Sequence, residues 1–259
     1  MVRRKVDRRA REIRLVSNSK REFFLVHGYT GSPTDFRDLG NFLHKKFNAN
    51  VRIIRLRGHG EVIENLDSLN YNDFLIQAEE ELKKSLDLGK EIVLGGLSVG
   101  SLIALDLAAR YPVKGLFCVS TSFRNKFPLN IFSFLEPLIL KKHWVKKTPE
   151  CEKDLRKNAF FYGLHLRGLR VIQQGKLSVT PILKNINSPF LAIHVSNDSL
   201  FSIKGVEDLL NRVSSKIKKL VVIDNKKERS HNPFYSSKLN EVSEEISLFI
   251  EKNRLFSVK

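Results

Sequence analysis

The run Ile92-Val93-Leu94-Gly95-Gly96-Leu97-Ser98-Val99-Gly100, followed by the apolar stretch Ser101–Arg110, decides the fold of this 259-residue chain. Its first three residues are apolar and mostly β-branched and read as a buried strand, and the stretch up to Arg110, just before Pro112, reads as a helix. Between them, Gly96-x-Ser98-x-Gly100 sets a serine on a tight strand-to-helix turn. Such a turn needs small neighbours on both sides, because the backbone is strained and Cβ groups would collide with adjacent elements. A helix that begins directly behind the serine points backbone N–H groups at negative charge developing in front of it.

Outward from this turn, short β-rich runs alternate with amphipathic helical stretches. Strands are expected over Glu22–His27, Val51–Leu56, Glu91–Leu97, Val113–Thr121, Pro189–Ser196 and Ile217–Asp224. Most are near-continuous apolar runs, the pattern of strands covered on both faces. Helices are expected over Pro33–Phe47, over Tyr71–Leu88 with Phe74, Leu75, Ala78, Leu82 and Leu86 on one side, and over Ser98–Arg110. The alternation argues for an α/β domain on a mostly parallel sheet of six to seven strands flanked by helices. From Ser122 to Ile186 no strand is legible, only helix-like stretches rich in Phe, Leu and Lys. An insertion of this length at the C-terminal end of a strand, where open α/β sheets place ligands, reads as a small helical cap. The expected organisation is a basic N-terminal extension, 1–20, and a single domain, 21–259, with the cap at about 122–186.

Composition narrows the function classes. Apolar residues make up 42% and charged residues 28%, with 18 Phe, a globular composition. Cys118 and Cys151 stand far apart, which excludes a disulfide framework and a zinc knuckle. No signal-peptide-length apolar stretch follows the basic N-terminus, and the most apolar run, Ile131–Leu140, contains Glu136 and Pro137 and is too short to span a membrane. The expected location is the cytoplasm, with peripheral contact at the inner membrane surface.

A nucleophilic serine needs a base, and the base needs an orienting acid. His231, in Glu228-Arg229-Ser230-His231-Asn232, lies in a polar loop after the last strand, and Asp198, in Ser196-Asn197-Asp198, just past the end of the strand before it. Asp208 and Asp224 are rival acids, Asp224 the nearer because it ends the last strand. The order Ser98, Asp198, His231 is that of nucleophile, acid and base in one hydrolase class. After the first strand, Leu25-Val26-His27-Gly28-Tyr29-Thr30-Gly31 can turn a backbone N–H toward the serine, so Tyr29 and Val99 are the expected oxyanion donors. The loop is not a phosphate cradle: no Gly-Lys-Ser/Thr follows it and no Gly-x-Gly-x-x-Gly occurs in the chain.

These motifs, with Arg57-Gly58-His59-Gly60, resemble the α/β-hydrolase superfamily, and within it the compact bacterial carboxylesterases and monoacylglycerol lipases. The resemblance runs from about Glu22 to Lys252, apart from much of the cap. It implies an α/β-hydrolase fold and a serine hydrolase that cleaves short- to medium-chain acyl esters or monoacylglycerols through an acyl-enzyme. Ser98 would be the nucleophile, His231 the base, Asp198 its orienter, Tyr29 and Val99 the oxyanion donors, and His27 and His59 structural. A thioesterase or lysophospholipase would use the same residues. Relatives commonly have Gly where this chain has Val195, a change that could shift the acid loop without removing a catalytic atom. Neither a metal nor an organic cofactor is implied.

The charge is unusual. There are 45 Lys and Arg against 28 Asp and Glu, a net +17. Much of the excess lies in the first fourteen residues and between Arg124 and Lys176, where twelve basic residues face four acidic ones. Phe132, Leu135 and Leu138, in an apolar stretch that runs into Lys141 and Lys142, are the expected substrate-binding residues of an acyl pocket beside an anionic membrane surface. A non-catalytic basic module that binds an anionic membrane or nucleic acid is the rival class. No nucleic-acid partner is expected, since no zinc finger, helix-turn-helix or aromatic RNA-binding pattern accompanies the charge.

Overall fold

The computed structural model describes residues 6–121, 123–124, 144–146, 163–165, 167–198, 201–224 and 231–256. Its strands are β1 (Ile13–Leu15), β2 (Arg21–Val26), β3 (Asn50–Ile54), β4 (Glu91–Leu97), β5 (Gly115–Val119), β6 (Trp144–Lys146), β7 (Gly163–His165), β8 (Phe190–Val195) and β9 (Lys218–Ile223). Seven of them form one sheet in the order β1-β3-β2-β4-β5-β8-β9. All neighbours are parallel except β1, which pairs antiparallel with β3. The helices are α1 (Arg37–Phe47), α2 (Tyr71–Asp87), α3 (Val99–Arg110), α4 (Gly168–Val179), α5 (Ile203–Arg212) and α6 (Leu239–Lys252).

The continuous apolar strands have two cores to fill. In β2, Phe24 and Val26 point into a cluster with α2, α3, α4 and α5, while Phe23 and Leu25 point the other way, to α1 and α6. Successive side chains of a strand face opposite sides, so a strand covered on both faces must be apolar throughout. Phe74, Leu75 and Leu82 of α2 are buried on this layer, each contributing about 1.5–3 kcal/mol relative to exposure. A capping box starts α2: the Asn70 side chain accepts from the Asn72 and Asp73 amides, and the Asp73 carboxylate accepts from the Asn70 amide. α3 is buried along nearly its whole length; its one buried acid, Asp106, is paired with Arg110 (2.6 Å) and accepts from Ser178 Oγ (2.6 Å).

Three features differ from the sequence reading. Residues 13–15, placed by sequence outside the domain, add the antiparallel edge strand β1. Glu12, just before it, bridges Arg52 of β3 (2.9 Å). Where no strand is legible between 122 and 186, β6 and β7 pair antiparallel, Val145 opposite Leu164. Three-residue strands are too short to print a period-two pattern. The C-terminal part of that stretch is no overlay on the domain: Val171, Ile172, Val179, Leu183 and Ile186 belong to the same buried cluster as α3. Among the described residues, no helix is long and apolar enough to cross a membrane.

Candidate active site

Parallel strands end together, so the loops after β4, β8 and β9 share one edge of the sheet. Ser98 follows β4 with φ +54° and ψ −114°, a conformation that costs a non-glycine residue about 1–3 kcal/mol. Neighbouring bonds hold it there: the Ser98 N–H donates to Val119 O (3.0 Å), and its carbonyl accepts from the Ser101 N–H (3.0 Å). The flanking glycines are steric requirements. A Cβ on Gly96 would lie 2.4 Å from Gly100 O, and one on Gly100 would lie 2.0 Å from Val26 O. The side chain so presented is only 8% exposed.

Asp198 and His231 are brought together. Asp198 is fully buried in the turn after β8. Its Oδ2 accepts from His231 Nδ1 at 2.8 Å and its Oδ1 from the Phe201 N–H at 3.0 Å. A carboxylate only accepts, so Nδ1 carries the imidazole proton and Nε2 the lone pair. Nε2 is buried and has no hydrogen-bond partner among the described residues. The serine hydroxyl and the imidazole therefore share the sheet edge without a hydrogen bond between them. The Phe201 ring packs on the imidazole, centroids 5.4 Å apart. The rival acids are engaged elsewhere: Asp208 pairs with Arg124 (2.6 Å), and exposed Asp224 accepts from Ser196 Oγ (3.2 Å).

The expected oxyanion donors lie beside this edge. Val99 is the first residue of α3 and is fully buried; an amide there has no intrahelical acceptor. Tyr29 lies in the loop after β2, which two buried histidines hold. His27 Nδ1 donates to Gly28 O (2.8 Å) and its Nε2 accepts from the Leu56 N–H (3.2 Å). His59 Nδ1 donates to Arg57 O (3.0 Å) and its Nε2 accepts from the Thr30 N–H (3.2 Å), which fixes Thr30 at φ +61°. Burial lowers His27 to about 4 and, with the charge of His27, holds His59 well below the usual imidazole value. Each ring is then a neutral one-donor, one-acceptor link between loops. The Tyr29 ring packs edge-on to His59 (5.6 Å) and Phe74 (6.1 Å), and α4 begins against it at Gly168.

Phe132, Leu135 and Leu138 lie outside the described residues. Several side chains at this edge escaped the sequence reading. Phe201 backs His231, and Lys176 of α4 reaches over the Phe201 ring, its Nζ 5.2 Å from the centroid, with burial lowering its pKa to about 8. Asp35 and Asn232 form a further contact across the same edge. Sequence carries no signal for these, since a lone Phe, Lys or Asp inside an element reads as core, surface or cap. Among the described residues no group of three or more His, Cys, Asp or Glu is placed to hold a metal ion.

Solved structures share this fold. A structure of the metagenome-derived lipolytic enzymes LipS and LipT superposes with a TM-score of 0.82 at 18% identity, over 96% of this chain and 100% of that one. A monoacylglycerol lipase from Paleococcus ferrophilus superposes with a TM-score of 0.74 at 14% identity, over 93% and 98% of the two chains. The family is shown by sequence: the family model described as serine aminopeptidase, S33, matches residues 17–227, and the chain belongs to that family. A carboxylesterase of Bacillus subtilis (strain 168) is 22% identical over 228 residues, 82% of this chain and 89% of the relative. A thermostable monoacylglycerol lipase of Bacillus sp. (strain H-257) is 33% identical over 88 residues, so that the match spans 34% of this chain and 35% of the lipase. The family and these relatives bear out the expected resemblance to carboxylesterases and monoacylglycerol lipases.

Proposed function

We propose that the protein is a serine hydrolase that cleaves carboxylic esters, short- to medium-chain acyl esters or monoacylglycerols, through an acyl-enzyme. The observation that carries this reading is the Asp198–His231 bond, which leaves Nε2, without a partner among the described residues, as a base at the edge where Ser98 stands on its strained turn. His231 Nε2 takes the proton as Ser98 Oγ adds to the ester carbonyl. Asp198 holds the imidazole in the required tautomer and stabilises the imidazolium. The Val99 and Tyr29 amides receive the oxyanion. Collapse expels the alcohol with the proton returned by His231; water then repeats the sequence and releases the acid. Phe132, Leu135 and Leu138 are proposed to line the acyl pocket, and the basic stretches to favour an anionic membrane surface.

Hydrolysis of p-nitrophenyl esters over a series of chain lengths, with the parent and Ser98→Ala, tests this. The parent is expected to turn over short and medium chains, and Ser98→Ala to lose about 10⁴-fold or more in kcat. Equal activity in the variant would remove Ser98 as nucleophile. Faster turnover of aminoacyl p-nitroanilides than of any ester would shift the reading to peptides, in keeping with the family's description.

A further inference from the structure

A buried carboxylate that the proposed chemistry does not use lies between the loop after β2 and the segment after β9. Asp35, in the single 3-10 turn Pro33–Phe36, is 3% exposed. Its Oδ2 accepts from the Gly28 N–H at 3.2 Å and its Oδ1 from Asn232 Nδ2 at 3.1 Å. Gly28 immediately precedes Tyr29, and Asn232 immediately follows His231. The fit is close: a Cβ on Gly31 would lie 2.2 Å from Asp35 Oδ2. Asn232 is held at its other end, where its Oδ1 accepts from the Phe234 N–H at 3.0 Å. Around the contact, Tyr235 donates to Thr34 Oγ1 (3.3 Å), and the Phe36 and Phe234 rings pack 4.8 Å apart.

In the sheet, β2 and β9 are separated by β4, β5 and β8, so no backbone ladder sets the distance between the loops that follow them. Asp35 spans that gap. We propose that Asp35 is a positioning residue that ties the loop carrying the Tyr29 amide to the segment carrying His231, through Gly28 on one side and Asn232 on the other. Its catalytic consequence rests on the function proposed above. A carboxylate suits the task because it accepts at both oxygens, and a charged acceptor makes the stronger bond. An amide at the same place accepts at one end only and turns a donor toward a donor at the other.

That asymmetry supplies the test. In D35N one of the bonds to Gly28 and Asn232 is lost; N232A loses the Asn232–Asp35 bond together with the cap on the Phe234 N–H. In the exchanged variant D35N/N232D, the amide at position 35 accepts from Gly28 and donates to the carboxylate at position 232, whose second oxygen still accepts from Phe234. Three readings are taken for each: kcat and KM on a p-nitrophenyl ester, the rate at which a fluorophosphonate labels Ser98, and amide hydrogen exchange over 27–36 and 231–238. Both single variants are expected to lose about tenfold in kcat with KM within about twofold. Labelling slows in step, exchange quickens in both segments together, and D35N/N232D recovers all three. Unchanged kcat in D35N and N232A, quickened exchange on one side only, or no recovery in the exchanged variant would overturn the tie. A parent protein that does not label at Ser98 would instead retire the serine-hydrolase reading, and the exchange pattern still decides the tie.

Discussion

At the residue scale, the histidines that hold the loop after β2 make acid sensitivity a property of the site's scaffold. An unfolded imidazole binds its proton near pH 6.5, whereas folded His27 resists until about 4. Between those values the unfolded chain binds more protons, so stability rises with pH there and falls on acidification, by roughly 3 kcal/mol for His27 alone. His59 is shifted in the same direction and adds to the effect. Thermal unfolding is expected to show Tm falling as the pH drops below about 6.5. His27→Asn, which keeps a donor and an acceptor without titrating, is expected to give a shallower fall; equal slopes would remove His27 as a source. The residues with motif context were legible here. Ser98 stands between glycines whose absent Cβ atoms are required by the contacts at Gly100 O and Val26 O. Asp35 was not, because its partners, Gly28 and Asn232, are 7 and 197 residues away in sequence.

At the scale of elements, local signals set the boundaries and tertiary pairing set the exceptions. The α2 capping box is written in four consecutive residues, Asn70 to Asp73. Replacing Asn70 with alanine is expected to cost about 1 kcal/mol, read as a lowered urea midpoint with the same m-value. Since Asn70 is remote from the Asp198–His231 pair in the chain and serves only the start of α2, kcat is expected to hold; a large loss of kcat would show that α2 governs the site. β1 was missed because a three-residue strand draws its order from the open edge of β3 and from the Glu12–Arg52 pair, which sequence reading within residues 1–20 cannot see. β6 and β7 escaped for the same reason, each drawing its order from the other in the two-stranded sheet.

At the scale of the whole molecule, the charge is the feature that function has yet to absorb. A net +17 with much of its excess in two segments, one of them running out of an apolar stretch, is the basis for proposing an anionic surface as partner. Co-sedimentation with liposomes is expected to be stronger with anionic than with neutral lipid and to fall with salt. Equal binding to the two would leave the basic residues as solvation alone. Part of the N-terminal charge is already engaged within the fold, Arg9 with Asp7 and Arg14 with Glu12.

By itself the sequence determined the class of fold, the serine turn, and the order in which Ser98, Asp198 and His231 leave the sheet, because each is encoded within a few consecutive residues by burial pattern, glycine placement and turn chemistry. Only the tertiary structure decided which carboxylate meets His231, that residues 13–15 close one edge of the sheet, and that Asp35 reaches Asn232. These are contacts between segments distant in the chain, and they form only once the strands have been laid side by side.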